Sequence, residues 1–181
     1  MDIRELEYNF DIKTIKKEVK EIVDNIKLHP HHYQISLKHT LDDSEDLFYQ
    51  GCGSLKYSFA GNNVPTLRKV PLTQDKFVKL NEYLKGSYLE KVHDTILNDF
   101  NFGRFRIMGM THKKCMSMHT DSSKRIHIPV ETNENCLMII DKQVYHMPSN
   151  GKAYLVDTTK PHTALNANHS FMRLHLLFDL Y

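Results

Sequence analysis

Apolar residues Ile12, Ile15, Val19, Ile22, Val23 and Ile26 recur at steps of mostly three and four, with Lys and Glu between them. Such steps place side chains on one stripe of a helix, so the pattern predicts an amphipathic helix capped by Asp11 and ended by Pro30. Residues 33–37 (YQISL) alternate instead, which predicts a strand with Tyr33, Ile35 and Leu37 inward. A helical pattern returns over 72–84, with Phe77, Leu80 and Leu84 on one stripe, Thr73 as cap and Gly86 as breaker. Another starts at Ser87 and buries Leu89, Val92 and Ile96. Between these, the acidic run at 42–46 reads as a solvated connection. Residues 47–67, rich in Gly, Ser and Asn, read as a surface loop or as the lip of a pocket.

From residue 101 the period changes to two. Arg104, Arg106 and Met108 alternate with Phe105 and Ile107. Arg125, His127 and Pro129 alternate with Ile126, Ile128 and Val130, and near the end Arg173 and His175 share a face. Further short strands are expected at 136–140, 143–146 and 153–156, and after Pro161. About eight short strands after a helical region do not have βαβ spacing. They predict a mainly β fold, an antiparallel jelly-roll barrel of the cupin type braced by N-terminal helices. No low-complexity linker interrupts the chain, so residues 1–181 read as one domain, with 1–100 as support and 101–181 as the barrel core.

Composition narrows the function classes. With 24 basic and 22 acidic residues the net charge is +2, too balanced to indicate nucleic acid or a membrane surface as partner. Three scattered cysteines, Cys52, Cys115 and Cys136, fit neither a disulfide scaffold nor a zinc knuckle and suggest a reducing compartment. The N-terminus has acids where a signal peptide has a basic then apolar stretch, and a cytoplasmic location is expected. The cluster His29, His31 and His32 has no carboxylate at fixed offset and reads as a rim feature.

The chemistry-bearing residues sit late in the chain. His119 and Asp121 are two apart, so one strand end can aim both at one point; His162 follows forty-one residues after Asp121, and Arg173 eleven after that. Two imidazoles and a carboxylate on one face of an octahedral ion leave three positions open, the pattern of non-haem Fe(II) oxygenases. A strand face carrying Arg and His needs a reason, and lining a cavity with a metal and an anion is one.

Taken together, His119-Thr120-Asp121, Arg125-Ile126-His127, the Gly151…Asp157 pair, His162 and Arg173 resemble the aspartyl/asparaginyl beta-hydroxylase family of Fe(II)- and 2-oxoglutarate-dependent oxygenases. The Gly151…Asp157 gap is one residue longer than the family pattern, and the likeness covers residues 100–181 better than the first hundred. The resemblance implies a double-stranded β-helix, Fe(II) held by His119, Asp121 and His162, and O2 as co-substrate. It also implies 2-oxoglutarate held by Arg173 at the distal carboxylate and by Arg125 and His127 near the iron. The expected reaction is hydroxylation of an sp3 carbon in an amino-acid-like or peptidyl substrate, releasing succinate and CO2. Arg104 and Arg106, on one face of their strand, are the residues expected to meet a substrate carboxylate. Two alternatives remain at this stage: a cupin-type metal enzyme without 2-oxoglutarate, and a non-catalytic ligand-binding barrel.

Overall fold

The computed structural model describes residues 1–42, 46–60 and 64–181, so the centre of the acidic run (43–45) and part of the 47–67 segment (61–63) lie outside the described residues. Along the chain come β1 (Ile3–Glu5), α1 (Ile12–Ile26), β2 (Gln34–Ser36), β3 (Lys38–His39), β4 (Tyr57–Ala60), β5 (Val64–Leu67) and β6 (Lys79–Leu80). Then follow α2 (Tyr88–Leu97), β7 (Phe102–Met110), β8 (Lys114–Cys115), β9 (Arg125–Glu131) and β10 (Cys136–Ile140). The chain ends with β11 (Gln143–Tyr145), β12 (Tyr154–Val156), β13 (His162–Asn166) and β14 (Arg173–Leu180).

Both helices form where the apolar stripe and a cap coincide. Asp11 Oδ1 accepts from the Lys13 and Thr14 amides at 3.0 and 3.3 Å, and Ser87 Oγ accepts from the Glu90 amide at 3.1 Å. α1 stops at Ile26, before Pro30, because Lys27 turns to a φ of 69°. Tyr33 likewise has a φ of 53°, so the strand expected from residue 33 begins at Gln34.

Six strands pair in the order β1-β12-β9-β14-β7-β2, every neighbour antiparallel. One face of this sheet, with Ile35, Phe105, Ile107, Ile126, Ile128, Leu176 and Phe178, meets Ile15, Val19, Leu89, Val92 and Ile96 of the helices in one core. Each such side chain contributes about 1.5–3 kcal/mol by leaving water, and Phe178 also stacks on Phe105 at 4.4 Å between ring centres. Alternation sends the intervening residues to the other face: Arg104, Arg106, Met108 and Met110 from β7, Arg125 and His127 from β9, Arg173, His175 and Asp179 from β14. Register pins them side by side, with Arg173 opposite Met110, His175 opposite Met108 and Asp179 opposite Arg125.

A second sheet has the order β11-β10-β13-β8. Met138, Ile140 and Met147 cluster with Tyr154 and Val156 of the larger sheet, which joins the two. The pairs β3-β6 and β4-β5 stand apart.

The jelly-roll, double-stranded β-helix barrel expected from the strand pattern is corrected by these pairings. Among the described residues each sheet is open and ends on two edge strands, and the fold is mixed α/β. Alternation records which residues share a face; closure depends on which edges meet, and a periodic pattern does not encode that. The helix expected over 72–84 is also replaced, by two single 3₁₀ turns (Gln74–Lys76, Glu82–Leu84) flanking β6. Here β3 captures the backbone: the Val78 amide donates to the His39 carbonyl and the Asn81 amide to the Leu37 carbonyl. Phe77 and Leu84 are still buried, so the apolar pattern was satisfied without a helix. Gly103 permits the close fit, since a Cβ there would lie 2.1 Å from the Gln74 carbonyl oxygen.

Candidate active site

His119 and Asp121 lie in the connection from β8 to β9, not on a regular strand. A single antiparallel bridge holds the first of them: the His119 amide donates to the His162 carbonyl at 3.0 Å, and the His162 amide returns the bond at 2.9 Å. The Asp121 amide is tied to the Thr158 carbonyl at 2.8 Å. These backbone bonds bring two imidazoles and a carboxylate from distant sequence to one point, with the His rings 4.3 Å apart. One nitrogen or oxygen from each of His119, Asp121 and His162 lies within 4.8 Å of the others, a grouping that can hold a metal ion.

The set fits a divalent metal in finer detail. His119 Nδ1 is 2.8 Å from the Ser117 carbonyl and His162 Nδ1 is 2.9 Å from the Lys160 carbonyl. A carbonyl only accepts, so each Nδ1 carries the proton and each Nε2 keeps its lone pair for a metal. Asp121 Oδ2 is buried without an aligned donor, although Arg125 Nη1 lies 2.8 Å away and His162 Nε2 3.4 Å away. Burial would raise this carboxyl, but His162, Arg125 and His119 outweigh it and hold it below the ordinary range.

Beside the trio, Arg104, Arg106 and Arg125 converge on the buried carboxylate of Asp179. Arg125 Nε donates to Oδ1 at 2.7 Å, Arg106 Nη2 donates to Oδ2, and Arg104 Nε is 3.3 Å from Oδ2. Burial would raise Asp179 too, yet the three guanidinium groups hold it well below the usual carboxylate range. Three cations around one carboxylate leave this wall positive, even with Asp121 shared by Arg125. Arg106 Nη1 also bonds Gln34 Oε1 at 2.7 Å, and Arg104 Nη1 bonds the Gly51 carbonyl at 2.9 Å.

Next to these, Arg173, His175 and His127 form a buried cluster. Arg173 Nε donates to His175 Nε2 at 3.0 Å, and His175 Nδ1 lies 3.3 Å from His127 Nδ1. Among the described residues no carboxylate forms an ion pair with Arg173, and burial lowers its pKa to about 10, leaving it a cation at neutral pH. Burial and the Arg173 charge push both imidazoles well below their ordinary value, so both are neutral.

A cleft of about 460 Å³ opens on His119 and Asp121, with Arg106, Arg125, Met108 and Met110 also among its walls. The structure thus brings His119, Asp121 and His162 together, with Arg125 against Asp121. His127, Arg173 and Arg104 are buried and are not among the walls of the cleft. Sequence reasoning passed over Asp179 and Gln34. Asp179 is six residues after Arg173, an even offset that puts both on one strand face, and that spacing was a usable signal. Asp157 accepts from Thr159 Oγ1 at 2.6 Å.

The site is thus of the metal-and-anion type. Residues 9–181 match the profile of the aspartyl/asparaginyl beta-hydroxylase family, and the chain belongs to that family. Its chemistry is that of an Fe(II)- and 2-oxoglutarate-dependent hydroxylase. Two solved structures are similar. One is an oxidoreductase of the 2OG-Fe(II) oxygenase family from Burkholderia pseudomallei, with 12% identity over 91% of this chain and 76% of that one, and a TM-score of 0.48. The other is AviO1 from Streptomyces viridochromogenes, with 10% identity over 98% of this chain and 88% of that one, and a TM-score of 0.46. No helix is long and apolar enough to cross a membrane among the described residues.

Proposed function

We propose that His119, Asp121 and His162 hold the Fe(II), that Arg173 and His127 bind 2-oxoglutarate, and that the Arg106 side of the cleft receives an acidic, amino-acid-like or peptidyl substrate. When bound, Fe(II) with 2-oxoglutarate and O2 supplies the oxidation: the oxo acid becomes succinate and CO2, and a substrate C–H becomes C–OH. The observation that carries the assignment is the pairing of two Nε2 lone pairs and a buried, donor-poor carboxylate oxygen with a buried guanidinium that forms no ion pair with a carboxylate among the described residues.

Each residue then has a task its surroundings support. The Ser117 and Lys160 carbonyls fix the two rings so that they meet the metal without rotating. Arg125 steadies Asp121 from one side and Asp179 steadies Arg125 from the other. Arg173 offers a planar fork for a carboxylate in a site that excludes water. His127 adds a neutral imidazole to the charged fork of Arg173. Met108 and Met110 give the substrate's carbon chain an apolar wall, while Arg106 supplies the charge that selects an acid. We place Arg104 as the support of Arg106, through Asp179, with no direct part in substrate contact. The three unpaired thiols support a reducing compartment such as the cytoplasm, and the chain is proposed to work as one domain.

The test is turnover of 2-oxoglutarate to succinate by Fe(II)-loaded protein across free acidic amino acids, their amides and short peptides. Mass spectrometry reads one added oxygen on the product. Acidic compounds are expected to give coupled product, and Arg106→Gln to raise KM for them. Coupling only with neutral or basic compounds would refute the acidic-substrate reading.

A further inference from the structure

We infer that Asp2 is a positioning residue for the metal site: it fastens the turn at 157–160, whose carbonyls hold the Asp121 backbone and the His162 ring. This role rests on the assignment of His119, Asp121 and His162 to the metal. Asp2 touches none of the three, so it works through the turn.

Asp2 directly precedes β1, the edge strand that pairs with β12. With Ile3 opposite Val156, the antiparallel register brings residue 2 level with residue 157. There the Asp157 amide donates to the Asp2 carbonyl at 2.8 Å. The Asp2 side chain, only 12% exposed, takes the other end of the turn, with Lys160 Nζ donating to Oδ1 at 2.8 Å. Its second oxygen accepts from the Tyr145 hydroxyl at 3.0 Å, so the same carboxylate also reaches β11 of the smaller sheet. One residue thus grips the turn at both ends and ties it to a strand of each sheet.

The turn passes its position on to two metal ligands. The Thr158 carbonyl accepts the Asp121 amide at 2.8 Å, and the Lys160 carbonyl lies 2.9 Å from His162 Nδ1. Metal–ligand distances are met within about 0.2 Å, so a turn that relaxes by more than that moves ligand atoms off the ion. Other contacts hold the same turn. Thr158 Oγ1 donates to the Ser123 carbonyl at 2.6 Å, which keeps the Thr158 end in place without Asp2. The remaining ion pairs, Lys124 with Asp157 and Lys160 with Asp141, are both 3.9 Å long with an exposed partner, a setting in which such pairs contribute little. Loss of the Asp2 carboxylate therefore loosens the Lys160 end, the one that carries the His162 ring.

Two measurements on the full chain test this without turnover: anaerobic Fe(II) affinity in the absence of 2-oxoglutarate, and the visible ligand-field bands of the Co(II)-loaded protein. Asp2→Ala should weaken Fe(II) binding about three- to tenfold, less than the ten- to a hundredfold lost with a partner directly on a ligand, and should shift the Co(II) bands. Lys160→Met should do the same. The double variant should lose no more than the larger single loss, as expected of two ends of one contact. Leu6→Ala is the control. It removes a core side chain just past the far end of β1, so it should lower the melting temperature and leave Fe(II) affinity and the Co(II) bands at wild-type values. Wild-type affinity and bands in Asp2→Ala overturn the positioning role. An equal loss in Leu6→Ala also overturns it, because the effect would then be a general loosening of the strand. Additive losses in the double variant overturn the Asp2–Lys160 contact as its route. If the wild type itself binds no Fe(II), the assignment of the three ligands falls with it, and that control tells the two failures apart.

Discussion

Replacing Arg173 with Met separates a co-substrate anchor from a structural cation. Arg173 is only 8% exposed, its guanidinium touches the His175 imidazole, and among the described residues it pairs with no carboxylate. Burial lowers its pKa from 12.5 to about 10, which corresponds to about 3 kcal/mol of unfavourable charge burial at neutral pH. The sign follows from the direction: the unfolded chain holds this proton more tightly, so the charge weakens the fold at every pH below the folded value. Met removes that cost and loses the contacts to His175, about 1–3 kcal/mol. The two nearly cancel, and the melting temperature of the metal-free variant should stay close to wild type. Co-substrate binding should behave differently. A carboxylate left buried without its cation costs about 3–5 kcal/mol, or roughly a hundred- to several-thousandfold in affinity. Anaerobic titration of the Fe(II) protein, followed by visible absorption, measures the second quantity, and thermal melts measure the first. Unchanged 2-oxoglutarate affinity would refute the reasoning. So would a metal-free variant that melts about 10 °C or more lower, equivalent to about 3 kcal/mol in a chain of this size, because Arg173 would then be holding the fold.

Asp179→Asn should destabilise the protein by about 3 kcal/mol or more in urea at neutral pH, since it strips the shared anion from three buried or half-buried guanidinium groups. Because Asp179's folded pKa is depressed, its contribution is present above the unfolded value of about 4 and is lost as pH falls below the ordinary carboxylate range. Wild-type stability should therefore drop on acidification more steeply than that of the Asn variant, and parallel curves would contradict the assignment. Phe178→Ala should cost about 3–5 kcal/mol, read as a lower urea midpoint, because the ring is fully buried between Phe105 and Phe102.

Period-two and period-three-to-four patterns carried the local structure well. The stripe from Ile12 to Ile26 and the cap at Asp11 became α1, and the face assignments on β7, β9 and β14 match the burial of Phe105, Ile107, Ile126 and Ile128 against the helices. The pattern at 72–84 misled because burying Phe77 and Leu84 needs only their side chains turned inward. Hydrogen bonds from β3 decided the backbone there, and those come from residues about forty positions earlier. The barrel expectation failed for a related reason, since edge pairing is a long-range property. At the site, residue types and order pointed to the His–Asp–His set. The single bridge between residues 119 and 162 that unites it has no local signature. The ring of arginines was half visible: Arg104 and Arg106 stood out by alternation, whereas their dependence on Asp179 required knowing that β14 lies between β7 and β9.

The central claim is that Fe(II) held by His119, Asp121 and His162 drives decarboxylation of 2-oxoglutarate. Its most direct test is incubation of the Fe(II)-loaded protein with 2-oxoglutarate under isotopically labelled O2, with mass spectrometry of the succinate. The account predicts succinate carrying one labelled oxygen in wild type, and loss of both Fe(II) binding and labelled succinate in His119→Ala, Asp121→Ala and His162→Ala. Undiminished Fe(II) stoichiometry and labelled succinate in all three variants would contradict it.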